Sequence, residues 1–377
     1  MRWRVERATL RDGWSTFLVI NDTTFEPHPE AMGFTVAMGS TEKSPNTIRA
    51  YAHGVAVFLT WAQIEAVDWT SVTMLDLTRF KRHLQVTPSA RTGRVRASGT
   101  VSLTLTAVAE FLRHCAANGR IEQAVANRLI EPRHTQTRSV ASRGEGHQFQ
   151  RGRTRALRVK VTENAPEVLS DDQVAAMRDN AHTYRDRFLL RVLHDGGPRI
   201  GEVLGLQSED VHLLPNSRAL GCAIPGPHLH IRRRTTNENR ALSKARMPRH
   251  IPVAAPLIED YRAYQSERYK LLGNNQSPFL FVSYRGTAQG KPMNYSNAYQ
   301  LIRRLGQAAG FRATPHMFRH SAATAWVAAG SDIDVVQTLL GHVSPDSTHI
   351  YLHASDERLR EAVVNVHHAQ GQGDTCL

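Results

Sequence analysis

Apolar residues recur at helical spacing along most of the chain, and the gaps between those runs divide it into parts. From Ser44-Pro45-Asn46 onward, Ile48, Tyr51, Val55, Phe58 and Leu59 share one face, with proline in the first turn, which predicts a helix. A second helix is predicted over Met74–Leu84. A third covers Val101–Ala117, where Leu103, Leu105, Val108, Phe111 and Leu112 form the apolar stripe and Gly119 ends it. A shorter one follows over Ile121–Ile130. Residues 1–40 mix Trp3, Trp14, Phe17 and Phe25 with Pro27 and Pro29, and read as short strands or irregular structure.

Between Arg133 and Lys160 the periodicity stops. Arg133, Arg138, Arg143, Arg151, Arg153, Arg155, Arg158 and Lys160 face a single acid, Glu145, among Ser, Thr, Gly and Gln, the composition of an exposed linker. Such a segment is either a solvated tether or a basic strap along a phosphate backbone. Periodicity returns near Pro166. Ser170 followed by Asp171 and Asp172 marks a helix start, giving helices over Gln173–Asn180 and Tyr184–His194. Alternation around Leu229–Arg232 and His250–Val253 predicts a small antiparallel hairpin system. Helices are then predicted over Ala255–Leu272, Asn294–Ala309, Pro315–Ala329 and Ile333–Leu340. The fold class is therefore mainly α with a small antiparallel β-sheet (α+β). Residues 1–40 form an N-terminal extension, 41–132 a helical domain, 133–163 a basic linker and 164–377 a second domain with a C-terminal tail.

Length and composition support two cored domains: 377 residues with 41% hydrophobic content suit a globular chain. Forty-seven Lys and Arg against 34 Asp and Glu leave a net charge of +13, which favours a polyanionic partner, nucleic acid first and an acidic membrane second. Cys115, Cys222 and Cys376 include no close pair, which argues against a disulfide framework and against a thiolate zinc site. The N-terminus lacks a signal-peptide core and no apolar run is long enough to span a bilayer, so the expected setting is cytoplasmic and nucleoid-associated.

The candidate chemistry lies in the second domain. Arg199 and Glu202 follow the Gly196-Gly197-Pro198 turn, one helical turn apart. Alone, such a pair is an ordinary surface ion pair. His316 and Arg319 lie one turn apart on a helix that Pro315 opens, among Phe318, Ala322, Ala323, Ala325 and Trp326, so the arginine is expected to be buried and to need a partner, a substrate phosphate or a structural carboxylate. His342 follows Leu339-Leu340-Gly341, and Tyr351 comes nine residues later in His-Ile-Tyr-Leu-His. A lone tyrosine of this kind is more often a packing residue.

Taken in order, this set resembles the tyrosine recombinase (phage integrase) family. That family's pattern runs arginine with an acid three residues on, a hairpin lysine, His-x-x-Arg, Gly-His, and a tyrosine nine residues after that histidine. Arg199 and Glu202, His316 and Arg319, Gly341-His342 and Tyr351 match it, and Lys244, eight residues before Pro252, stands in the lysine's place. Ser44–Tyr51 with Phe58 and Trp61 looks like the opening of the family's helical DNA-binding domain. About forty-five residues separate Arg199 from Lys244; this wide gap, holding Arg232-Arg233-Arg234, reads as an enlarged hairpin. The resemblance implies a two-domain architecture, with a helical core-binding domain and a catalytic domain. It implies a site-specific recombinase, the integrase or transposase of a mobile element, that cleaves and rejoins DNA through a 3′-phosphotyrosine without metal or ATP. Tyr351 would be the nucleophile, His316 its proton acceptor and Lys244 the donor to the leaving oxygen. Arg199 and Arg319 would clamp the phosphate, with His342 hydrogen-bonding it and Glu202 orienting the cations. The implied partners are double-stranded DNA recombination sites, a homo-tetramer on DNA, and accessory DNA-bending or partner recombinase proteins; no cofactor is implied.

Three other readings compete. His316, His320, His342, His349 and His353 crowd one region, but no metal-protease signature accompanies them and the nearby acids lack ligand spacing. A non-catalytic DNA-binding protein would share the charge but has no use for the full set. A type IB topoisomerase would share the chemistry; the separate helical domain, the chain length and the apolar stripe Leu359, Val363, Val366 favour the recombinase.

Overall fold

The computed structural model describes residues 2–9, 15–41, 43–90, 92–128, 130–133, 152–155, 159, 166–234, 237–239, 241, 248–274 and 277–341, with 127–128, 130–133 and 152–155 as backbone alone. Contacts divide the chain into two compact units, Met1–Glu163 and Asn164–Leu377.

The first unit opens with an antiparallel hairpin of β1 (Trp3–Thr9) and β2 (Ser15–Asn21), in which Trp3 pairs with Asn21 and Thr9 with Ser15. Helix α1 (Pro29–Ser40) follows, N-capped by the His28 ring, then α2 (Pro45–Ile64), α3 (Met74–Val86), α4 (Ser98–Ala117) and α5 (Gln123–Arg128). Strand residues were foreseen in this N-terminal stretch, but α1 was not. Its sequence carries Gly33 and Gly39 and buries Ala31, Phe34, Thr35 and Met38, so no clean polar face marks it as a helix. The hairpin packs into this unit: the Trp3 amide donates to Thr60 Oγ1 of α2 at 2.9 Å, and Val19 joins the core formed by Phe58, Trp61, Phe80 and Phe111. Local chemistry explains the helix starts. Ser44 caps α2 by accepting from the Thr47 amide, and Thr73 and Asp76 form a reciprocal capping box on α3. After α5, β3 (Ile130–Arg133) pairs antiparallel with β4 (Gly152–Arg155), so parts of the stretch read as a linker form a ladder.

In the second unit α6 (Asp171–Asp179) has the capping box of Ser170 and Gln173, and α7 (Tyr184–Gly196) ends on Gly197, held at φ 58°. A short helix, α8 (Ile200–Leu204), follows directly. The sheet has three strands, β5 (Val211–His212), β6 (His228–Ile231) and β7 (Arg249–Pro252), in the order β5-β6-β7 and all antiparallel. Helices α9 (Ala255–Leu272), α10 (Tyr295–Ala308), α11 (Pro315–Ala328) and α12 (Ile333–Leu340) complete it. Leu229, Ile231 and Ile251 face a core of Phe188, Leu193, Phe281 and Phe318. Among the described residues no helix is long and apolar enough to cross a membrane.

One close approach governs the first unit. A Cβ added at Gly54 of α2 would meet Ala107 Cβ of α4 at 2.7 Å, so the two helices touch through a bare backbone. Gly54→Val is expected to lower unfolding stability by about 1–3 kcal/mol through overpacking. Chemical denaturation of the purified chain checks this; an unchanged midpoint would contradict the contact.

Candidate active site

The site begins where α7 stops. Gly197 takes a left-handed conformation that favours glycine, and its Cβ position would meet Ala322 Cβ at 3.0 Å and Trp326 at 3.3 Å. Pro198 follows, and Arg199 becomes the N-cap of α8. Glu202, one turn on, accepts from the Arg199 amide at 2.9 Å through Oε2 and from the Arg199 guanidinium at 3.1 Å through Oε1. The expected Arg199–Glu202 pair therefore forms, but it is no surface pair: the Glu202 side chain is 0% exposed and that of Arg199 29%.

A third residue, not singled out in the sequence, completes the pair. Arg249 of β7 donates to Glu202 Oε2 at 2.8 Å and to the Leu339 carbonyl at 2.8 Å, with its side chain 7% exposed. Strand alternation held the signal, since Arg249 lies two residues before the core residue Ile251 and shares its face. A charge on a core-facing position needs a counter-charge. Burial raises the pKa of Glu202, but the hydrogen bond and charge of Arg249, with those of Arg199, outweigh it and hold the carboxyl below the usual carboxylate value.

Arg319, on the inward face of α11, is 2% exposed. Its guanidinium donates to the Gly197 carbonyl at 2.9 Å and to the Leu340 carbonyl at 2.7 Å. One side chain thus ties the turn that carries Arg199 to the end of α12. Arg249 ties β7 to the same end. Gly341 closes α12 at φ 64°, and a Cβ there would meet the Arg249 guanidinium at 2.8 Å. Both the backbone and the packed arginine therefore require glycine just before His342.

His316 lies in the first turn of α11 and is solvent-accessible. Desolvation by the surrounding protein, then the charges of Arg319 and Arg199, lower its pKa, so the neutral imidazole is favoured. His320 packs edge-on against it, ring centroids 4.4 Å apart; burial, His316 and Arg319 push it down to about 4. The fold thus gathers Arg199, Glu202, His316 and Arg319 around the α7–α8 turn and the end of α12. The three other candidates, Lys244, His342 and Tyr351, lie outside the described residues.

A buried carboxylate among arginines, a neutral histidine and a glycine-terminated helix form a site suited to holding an anion and moving protons. The sequence profile described as "Phage integrase family" matches residues 167–358, and that of the "Phage integrase, N-terminal SAM-like domain" matches residues 37–110. The chain belongs to the phage integrase family and is a tyrosine-type site-specific recombinase of the kind that serves mobile elements. It is 27% identical over 367 residues to Transposase A from transposon Tn554 of Staphylococcus aureus, covering 95% of this chain and 96% of that one. It is 28% identical over 341 residues to the tyrosine recombinase XerA of Thermococcus kodakarensis, covering 89% and 95%. Among solved structures, the Tn1549 transposon integrase in complex with a circular intermediate DNA shares the fold with a TM-score of 0.59 at 13% identity, covering 89% of this chain and 99% of that one.

Removing Arg249 leaves Glu202 buried beside one partner instead of two. Arg249→Met is expected to cost about 3–5 kcal/mol, as for a broken buried ion pair, and the double variant with Glu202→Gln should recover part of that loss. Because the Glu202 pKa is depressed, its stabilisation is present above 4.5 and is lost as the pH falls through the lower folded value. Denaturant titration across acidic pH checks both; additive single and double variants would contradict the coupling.

Proposed function

We propose that this recombinase cleaves duplex DNA by attack of Tyr351 on a backbone phosphate, forming a 3′-phosphotyrosyl link that a second strand's 5′-hydroxyl later resolves. The cluster of Arg199, Arg319, Glu202 and His316 carries this reading, because it holds positive charge and a neutral base in one place while the chain order of the remaining candidates fits the family. Arg199 and Arg319 supply charge for the non-bridging phosphate oxygens, an interaction that strengthens as charge builds in the transition state. Arginine suits the task because its charge does not titrate. Arg319 also holds Gly197 and Leu340, so it aligns Arg199 with the segment that leads into His342.

His316 takes the proton that Tyr351 sheds on attack, and its lowered pKa keeps it free to do so at neutral pH. Lys244 gives a proton to the 5′-oxygen that leaves. His342 hydrogen-bonds the phosphate, and Glu202 holds Arg199 in place. The P–O bond to the 5′-oxygen breaks as the P–O bond to tyrosine forms, so the link conserves the energy needed for rejoining. The partners are double-stranded recombination sites gripped by both units, four protomers of this chain assembled on them, and accessory DNA-bending or partner recombinase proteins. The net charge of +13 supports phosphate contacts as the main source of affinity, which makes binding fall steeply with salt.

Tyr351→Phe is expected to bind DNA like the parent and to form no covalent complex with a nicked substrate on a denaturing gel. A covalent complex at the parent level would remove Tyr351 from the reaction. Arg319→Lys, which keeps the charge but loses the fork, should slow single-turnover cleavage by about 10²-fold or more. The acid limb of the cleavage profile should have its midpoint below 6.5, because protonated His316 cannot accept the tyrosine proton. A midpoint at or above 6.5 would contradict the base assignment.

A further inference from the structure

The excursion between β5 and β6, part of the wide gap between Arg199 and Lys244, brings together four ligand-type side chains. His212 ends β5, and its backbone pairs with His228 of β6. His228 and His230 alternate with the core residues Leu229 and Ile231, so both rings point to the opposite face of the strand. Cys222 follows Gly221, which turns the chain at φ 73°, and its amide donates to the Ser217 carbonyl at 3.2 Å. The donor atoms of all four lie within 4.8 Å of one another.

The spacings have the scale of a coordination shell. Cys222 Sγ is 3.4 Å from His228 Nε2 and 3.5 Å from His230 Nε2, and the two Nε2 atoms are 3.0 Å apart. Tetrahedral zinc with its usual bond lengths sets sulfur–nitrogen edges of about 3.6 Å and nitrogen–nitrogen edges of about 3.4 Å. The ring centroids lie 4.5–5.1 Å apart in tilted or edge-on pairs, without stacking.

Two histidines are also oriented from behind. His228 Nδ1 is 2.7 Å from the Gly226 carbonyl, which, as acceptor, fixes the proton on Nδ1 and leaves the Nε2 lone pair for the cluster. His212 Nε2 is 3.2 Å from the Glu209 carbonyl, which leaves Nδ1 as its lone-pair atom. That Nδ1 is buried without a hydrogen-bond partner, on a residue only 6% exposed. An ordinary buried histidine satisfies both ring nitrogens. A metal ion would satisfy this one, together with the thiolate and the two Nε2 atoms.

We infer that His212, Cys222, His228 and His230 form a structural zinc site that fastens the 213–227 excursion to the sheet. Four protein ligands close the coordination sphere and leave no open position for substrate, which marks such a site as structural. Thiolate plus imidazole in tetrahedral array favours zinc over magnesium or calcium. None of these four ligands is among the residues assigned to phosphoryl transfer.

The test is a metal count on the untagged full-length chain, grown with zinc, passed through a mild chelator and gel-filtered. About one zinc per chain is expected for a closed four-ligand site. Cys222→Ser and His228→Ala should each lose most of that zinc, while Cys115→Ser retains it. A parent chain without tightly held zinc, or ligand variants that hold as much as the parent, would overturn the site. Cobalt substitution of the parent chain tests the ligands without any variant. An intense tetrahedral visible spectrum with a near-ultraviolet thiolate-to-cobalt band is expected; cobalt bound without that band would overturn the role of Cys222. Both readouts are independent of DNA cleavage, so they stand or fall separately from the recombinase mechanism.

Discussion

The charge of Glu202 is the constraint on which the site's geometry turns. A carboxylate with no exposed surface is costly unless it is paired on most sides, and here an amide and two arginines meet it. Those partners come from two places in the sequence, the turn before α8 and strand β7, and Arg249 carries the link on to the end of α12. Satisfying the carboxylate therefore fixes Arg199 against β7 and α12 together. Arg319 repeats the device with two carbonyls in place of a carboxylate, joining Gly197 to Leu340. The result is a rigid cationic frame built before any phosphate arrives, which is what electrostatic catalysis needs, since groups already oriented cost no reorganisation at the moment of reaction.

The arginines of this frame are held in different ways. Arg199 is half-buried and faces Glu202 with one edge, leaving it suited to meet a ligand. Arg319 and Arg249 are buried and spend donors on the protein's own backbone. Gly197 and Gly341 belong to the same design, because each sits where a side chain would strike a packed neighbour and where the backbone is left-handed. The cationic frame also acts on His316, whose lowered pKa follows from desolvation and from the arginines beside it. The same cationic frame thus presents positive charge and keeps the imidazole neutral.

Much of this was legible in the sequence. Ser44, Ser170 and the prolines at 45 and 315 announce helix starts by chemistry that acts locally, and the helices lie where those residues place them. Arg199, Glu202, His316 and Arg319 were singled out by their order and spacing, and the fold brings them together. What escaped depends on tertiary contact. Helix α1 lacks a polar face because it packs against the hairpin as well as its neighbouring helices, so its amphipathic signal is weak. Arg249 was not singled out, although its parity with Ile251 placed it inward. The cluster of Cys222 with His212, His228 and His230 has no paired cysteines to mark it: one cysteine and three histidines on two strands and a turn are brought together by sheet register and not by a short motif.

The central claim is a covalent link between this chain and DNA at one residue. The most direct measurement traps the protein on a nicked recombination-site duplex with chelator present, digests the complex with nuclease and protease, and maps the nucleotide-bearing peptide by mass spectrometry. The account predicts a nucleotide joined through its 3′-phosphate to Tyr351. An adduct on another side chain, a 5′-phosphate link, or strand cleavage with no protein-bound nucleotide would contradict it.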